Sequence, residues 1–308
     1  MQSVSPTNIA VRDGIIHVRK VETLVAFHCN LSCRGCVHGS PALREKLLDP
    51  ASLSRDLAAL SSAMYIHKLV LLGGEPLLHP RLAELARIAR SSGAVGQVAV
   101  ITNGIGLEGV SDELFDAIDL IEVSAYPRVR LRISEEELRL RAQAHNVIVG
   151  WNNVRQFQET TLNERISNPA VVEEIFLRCK PRDAWSCHAI HDGRYFKCSR
   201  AGLLEPRLNA CGRAVSNREA DGVLIQGNTS LFDTLLDYLQ SPKPLEACHW
   251  CLGSDGATFP HELQNARRVQ EEAVRIVPLS MTHFNPAMRQ HLAERGIFDA
   301  VATQSPAL

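Results

Sequence analysis

The sequence predicts an α/β fold with parallel strands, followed by a smaller cysteine-bearing region. Three observations carry that expectation. Short apolar runs alternate with helical stripes from about residue 21 to residue 149. Four of these runs end in polar loops, as ligand-binding strand ends do. The nine cysteines are grouped rather than scattered: three in residues 29–36, none in 37–178 and six in 179–251.

Residues 1–20 read as a lead-in with a hairpin turn at Asp13-Gly14, and residues 21–27 as the first apolar strand. Leu53, Leu57, Leu60 and Met64 share a helical stripe over 51–64, with Asp49 and Pro50 as start signals. Lys68-Leu69-Val70-Leu71-Leu72 has the continuous apolar character of a strand buried on both faces, and ends in Gly73-Gly74-Glu75-Pro76. Leu82, Leu85, Ala86 and Ala89 mark the next helix, and the strand at 98–101 ends in Thr102-Asn103-Gly104. A short helix around Leu114, Phe115 and Ile118 precedes a strand at 120–124, a helix at 135–144 and a strand at 147–149. This alternation predicts βαβ units. Beyond a compositional boundary near 151–180, the sequence predicts a helix at 169–177, a β-hairpin turning at Asp192-Gly193, and helices at 261–274 and 285–295. Residues 301–308 carry no pattern and are expected to be disordered.

Composition narrows the partners. The 308 residues carry 33 Lys plus Arg against 34 Asp plus Glu, so there is no electrostatic case for nucleic acid or an anionic membrane. No apolar run approaches the ~20 residues that span a bilayer, and residues 1–13 lack the features of a signal peptide. A reducing cytoplasm is the expected compartment, where clustered thiols are metal ligands more often than disulfides.

The first cysteine group, Cys29-Asn30-Leu31-Ser32-Cys33-Arg34-Gly35-Cys36, is too tight for a good disulfide frame. Its C-x3-C-x2-C spacing suits three thiolates on one face of an iron–sulfur cube, leaving one iron open. Together with Gly73-Gly74-Glu75-Pro76 one βα unit later, and with Thr102-Asn103-Gly104, it resembles the radical S-adenosylmethionine (radical SAM) enzymes over residues 21 to about 150. That resemblance implies a partial (β/α)6 TIM-like barrel and a 4Fe–4S cluster whose open iron is chelated by S-adenosylmethionine. It also implies a 5′-deoxyadenosyl radical that abstracts hydrogen from substrate, and an electron donor such as flavodoxin or ferredoxin. Gly73, Gly74, Glu75, Pro76, Asn103 and Ser124 are then the expected cofactor-binding residues, with Glu75 on the cofactor's amino group. The family usually has a bulky residue before the third cysteine, where this chain has Gly35; its backbone remains available to the adenine, and His38 or His28 could compensate.

In the second group, counting outward from Asp192-Gly193 sets His191 opposite Arg194 and Cys187 opposite Cys198, so that both thiols reach one cluster. The run from Cys179 to Cys198 and the later Cys248-His249-Trp250-Cys251 resemble the opening and closing cysteines of twitch domains, relatives of the SPASM domain. The resemblance implies a twitch-type auxiliary 4Fe–4S cluster held by Cys198, Cys248, Cys251 and either Cys187, slightly favoured by hairpin geometry, or Cys179. A zinc knuckle is the competing reading of the same pairs. Cys211 is left over, as a core thiol, a hydrogen donor or an alternative ligand. The expected division is a barrel at 1–178, a twitch-type domain at 179–260 and a helical tail at 261–308.

Ser124-Ala125-Tyr126-Pro127, Cys187-His188 and Ser199-Arg200 further resemble the branch acting on amino sugars, aminocyclitols and sugar nucleosides in antibiotic biosynthesis. The implied reaction on a polar small molecule is dehydration, alcohol oxidation or decarboxylation. His188 and Glu122 are candidate bases, with Tyr126 and Arg155 orienting substrate and Asn152 and Asn153 as further polar contacts. Peptide modification ranks second, because only about 20 residues precede the first strand. An iron–sulfur scaffold without turnover ranks third.

Overall fold

The computed structural model describes residues 9–182, 184–275 and 278–297. The patternless stretch 301–308 lies outside the described residues, as do residues 1–8.

β1 (Ile9–Arg12) and β2 (Ile15–Ala26) form the expected hairpin, with Asp13 and Gly14 both at positive φ as a type I′ turn needs. The chain then runs through α1 (Pro50–Leu60), β3 (Met64–Gly73), α2 (Leu82–Ser91), β4 (Val95–Thr102), α3 (Asp112–Ala117), β5 (Leu120–Ala125), α4 (Glu135–Ala144) and β6 (Ile148–Asn153). Local signals set these helices: Asp49 caps α1 through the Ser52 amide, and Ser134 and Glu137 close a capping box on α4. β7 (Gln156–Gln158), α5 (Pro169–Arg178), β8 (His188–His191), β9 (Arg194–Phe196), α6 (Ser199–Ala210), α7 (Arg218–Asp221), β10 (Gly222–Leu224), α8 (Leu231–Gln240), β11 (Thr258–Pro260), α9 (Ala266–Val274) and α10 (Pro286–Glu294) complete it.

The main sheet has the order β10-β9-β8-β2-β3-β4-β5-β6, with β1 also on β2. From β8 to β6 all neighbours are parallel. Six parallel strands are therefore present, but the sixth in sequence, β8, does not follow β6; it pairs with β2 at the opposite edge. The β8–β9 hairpin turns at Asp192-Gly193 and sets His191 opposite Arg194. It thus brings Cys187 and Cys198, which flank it, to the main sheet.

Alternation along β2 sorts the side chains. Val21 and Val25 enter the main core with Leu57, Leu69, Val100 and Ile121. Leu24 faces the other way, packing with Leu72, Ala99 and Leu203. Each such aliphatic side chain contributes about 1.5–3 kcal/mol on burial. A separate small core joins α5 to α10 through Val171, Ile175, Phe284 and Leu292.

The expected helix at 261–274 begins only at Ala266. Before it, β11 pairs antiparallel with β7, Phe259 opposite Phe157. The chain continues against the cysteine loop: the Arg34 amide donates to the Glu262 carbonyl at 2.9 Å and the Gln264 amide to the Ser32 carbonyl at 2.8 Å.

Candidate active site

Cys29, Cys33 and Cys36 follow the C-terminal end of β2 and face a common cavity of about 310 Å³ at the strand ends. The Leu31 amide lies 3.3 Å from Cys29 Sγ and the Asn103 side-chain amide 3.6 Å from it. Burial pushes the Cys29 thiol up to about 11 and the Cys33 thiol to about 12, and the neighbouring thiols add to both shifts.

Gly73 and Gly74 close the same wall. A Cβ on Gly73 would stand 2.1 Å from the Ala26 carbonyl oxygen, and one on Gly74 would stand 2.2 Å from that of His28. The glycines are thus demanded by the approach of β3 to the cysteine loop, whose backbone they hold at 2.8 Å (Gly74 amide to Ala26 carbonyl). Glu75 is fully buried and does not line the cavity. Its carboxylate accepts from Thr102 Oγ1 at 2.5 Å, the Asn103 amide at 2.8 Å and the Leu77 amide at 3.0 Å. Burial raises its pKa to about 7 although these donors oppose the rise. Glu75 therefore fixes the Thr102–Asn103 turn, from which Asn103 reaches Asn30 at 2.7 Å. Pro76 is buried at the start of the turn that follows.

Gly35 has φ +64°, and a Cβ there would meet Phe259 Cζ at 2.5 Å. The Arg34 guanidinium lies over the same ring, 4.7 Å from its centroid. The bulk absent at position 35 is thus supplied from β11. His38 lines the cavity and burial lowers its pKa, whereas His28 is not among the lining residues.

The cavity is also lined by Glu22, Cys187, Ser199 and Arg200. Lys20 and Glu22, two apart on β2, share a face and pair at 2.8 Å. Burial alone would raise the Glu22 carboxyl, but Lys20, His38 and a Ser199 hydrogen bond hold it below its ordinary value. Lys20 Nζ also reaches Cys187 Sγ at 3.4 Å. Burial would lower the Lys20 ammonium, and the neighbouring Glu22 and Cys187 raise it instead. Glu22 is the one carboxylate among the described residues lining this cavity. Neither β2 residue was among the sequence expectations; the only signal was a charged pair at period two inside an apolar strand.

Ser124 and Tyr126 line the cavity at the end of β5. The other expected substrate residues do not. His188 is buried in the β8 ladder beside Val21, with its Nδ1 2.6 Å from Tyr195 Oη. Glu122 is taken up by Asn152 at 2.7 Å, and Arg155 is exposed beyond β6. Asn153 is exposed on β6 as well.

In the second group, Cys179 ends α5, Cys198 precedes α6, Cys248 lies within the short turn Glu246–Trp250 and Cys251 ends it. Burial raises the thiols of Cys179, Cys198 and Cys248, and these three and Cys251 lie near enough to act on one another. Arg200 Nη1 reaches Cys251 Sγ at 3.5 Å and the Gly253 carbonyl at 2.6 Å. Burial would lower this guanidinium; the sulfurs of Cys251, Cys198 and Cys179 raise it above its usual range. Cys187, the hairpin-favoured candidate, instead turns to Lys20 and the cavity. Cys198 leaves the ladder to begin α6, yet its thiol stays near enough to Cys187 to help raise the Cys187 thiol. Cys211 sits apart, on a second cavity of about 250 Å³ behind the cysteine loop. Among the described residues no three His, Cys, Asp or Glu side chains close on one point as ligands of a single metal ion would.

Residues 24–126 match the family model described as the radical SAM superfamily. They form a radical SAM domain. A GTP 3′,8-cyclase from Chlorobaculum tepidum is 37% identical over 97 residues, 32% of this chain and 29% of the relative. A probable GTP 3′,8-cyclase from Methanococcus aeolicus is 31% identical over 116 residues, 35% of this chain and 38% of the relative. The chain thus spans about a third of the length of these curated relatives. Among solved structures, BtrN in complex with AdoMet and 2-DOIA covers 60% of this chain and 74% of its own at 15% identity and TM-score 0.40. Native anSMEcpe with bound AdoMet and Kp18Cys peptide covers 43% and 42% at 14% identity and TM-score 0.32.

The radical SAM family implies S-adenosylmethionine and a 4Fe–4S cluster. The domain's donor set fits them: three soft thiols without a carboxylate between them, all lining one cavity that Asn103 and Ser124 also line. No helix among the described residues is long and apolar enough to cross a membrane.

Proposed function

We propose that this chain is a radical SAM enzyme acting on a hydroxylated small molecule of the amino sugar, aminocyclitol or sugar nucleoside class. The outcome is alcohol oxidation, dehydration or decarboxylation, as in antibiotic biosynthesis. The observation that carries the reading is the cavity itself, lined by the three thiols together with Glu22 and Arg200, with Lys20 paired to Glu22 at 2.8 Å. When bound, S-adenosylmethionine and two 4Fe–4S clusters would supply a hydrogen-abstracting 5′-deoxyadenosyl radical and an electron acceptor.

The chain's own residues do the rest. Cys29, Cys33 and Cys36 hold the first cluster, and Asn103, Gly73, Gly74 and Ser124 face the cofactor, with Glu75 positioning Asn103. Cys179, Cys198, Cys248 and Cys251 hold the auxiliary cluster in a twitch-type region, separated from substrate by the start of α6. Glu22 accepts the proton of the substrate hydroxyl: the O–H bond breaks, a new one forms at the Glu22 carboxylate, and Lys20 and Arg200 face the charge left behind. Tyr126 bounds the substrate space. An electron donor of the flavodoxin or ferredoxin class completes the system, in the cytoplasm.

The named relatives suggest GTP as a substrate, but each match covers only about a third of this chain. The test is anaerobic turnover of 2-deoxystreptamine, a hexosyl cytidine, GTP and a cysteine-containing peptide, followed by mass analysis. Loss of two hydrogens, water or carbon dioxide from either of the first two supports the proposal; modification of GTP or the peptide alone overturns it.

A further inference from the structure

His261 was outside every expectation for the site, yet its Nε2 lies 3.2 Å from Cys33 Sγ. Its ring stacks on Tyr126 at a centroid distance of 4.7 Å and an interplanar angle of 18°, and leans on Phe157 at 5.1 Å. Its backbone is fixed as well, the amide donating to the Arg155 carbonyl at 2.9 Å. The next residues form the ladder with the cysteine loop, Leu263 bridging Cys33. Ring and backbone constraints together aim one nitrogen at one sulfur.

We propose that His261 is a positioning residue of the first cluster, which donates its Nε2–H to the Cys33 sulfur and so raises the cluster's reduction potential. The inference rests on reading Cys33 as a cluster ligand. A ligating cysteine is a thiolate, which has no proton to give, so the hydrogen bond runs only from nitrogen to sulfur. Such a bond withdraws charge from the ligand and favours the reduced, more negative cluster. Nδ1 is buried without a hydrogen-bond partner, in keeping with a ring whose single useful proton is on Nε2. The C-terminal segment therefore bears on electron delivery from 228 residues away in sequence.

The test is a redox titration of the reconstituted protein, following the EPR signal that moves when S-adenosylmethionine is added. That response separates the first cluster from the auxiliary one. His261→Phe keeps the stack on Tyr126 and removes the donor; its midpoint potential is expected to shift to more negative values with iron content unchanged. An unchanged midpoint overturns the inference. A second measurement needs no variant: ¹⁵N-histidine-labelled wild-type protein should show a through-bond nitrogen coupling on that signal, and its absence overturns the inference too. A wild-type protein with no SAM-responsive signal overturns the cluster reading, and this inference with it.

Discussion

Phe259 lies over Gly35, its ring filling the space that a side chain at position 35 would enter: a Cβ there would stand 2.5 Å from Phe259 Cζ.

This pairing predicts a coupled mutational effect. Gly35→Ala places a β-carbon at φ +64° and against the ring, and is expected to cost about 2–4 kcal/mol. Phe259→Ala should recover part of that loss in the double variant, with a coupling of about 1 kcal/mol or more by denaturant unfolding. Strict additivity would mean that the two residues do not share this space.

Iron content distinguishes the two candidate fourth ligands of the proposed auxiliary cluster. Cys179→Ala, Cys198→Ala, Cys248→Ala and Cys251→Ala should each lower bound iron from about eight to about four per chain, while Cys187→Ala stays near eight. A Cys187→Ala protein with about four irons, beside an intact Cys179→Ala protein, would restore the hairpin-based assignment.

These cases show where the sequence is informative. The strand-end loops around Cys29, Gly73 and Thr102 were legible because each is a local motif at the end of an apolar run. The hairpin register was legible because Asp192-Gly193 fixes it. The contact of the Cys187 thiol with Lys20 was not, since it depends on β8 pairing with β2 across a long separation. Glu22 was hidden because a charged residue within a strand reads as a solvent-facing one until β8 is known to cover that edge. His261 and Phe259 were out of reach for a third reason: β11 finds β7 and the cysteine loop across a long separation, which no local pattern records. His188 does not line the cavity because membership of the ladder beside Val21 buries it against Tyr195.

Glu22→Gln separates hydrogen abstraction from proton transfer. Product formation is expected to fall by roughly 10²–10⁴-fold while 5′-deoxyadenosine is still released. Glu22→Asp should recover part of the activity. Parallel loss of both products in Glu22→Gln, with the fold intact, would assign Glu22 to binding rather than proton transfer.

The buried Glu75 gives the cofactor-free protein a pH signature. Its folded pKa, about 7, is above the ordinary 4.5. Its contribution is therefore fully present below pH 4.5 and is lost as pH rises through 7, on the order of 3 kcal/mol across that window. Thermal unfolding across this range should show the decline in wild type and a flatter profile in Glu75→Gln. An equally steep profile in the variant would place the titrating group elsewhere.

On the proposed function, the thiols of Cys29, Cys33 and Cys36 support reductive cleavage of S-adenosylmethionine. Anaerobically reconstituted protein, reduced with dithionite in the presence of S-adenosylmethionine, should release 5′-deoxyadenosine, and Cys33→Ala should release none. Absence of 5′-deoxyadenosine from the iron-loaded wild type, or undiminished release from Cys33→Ala, would contradict the account.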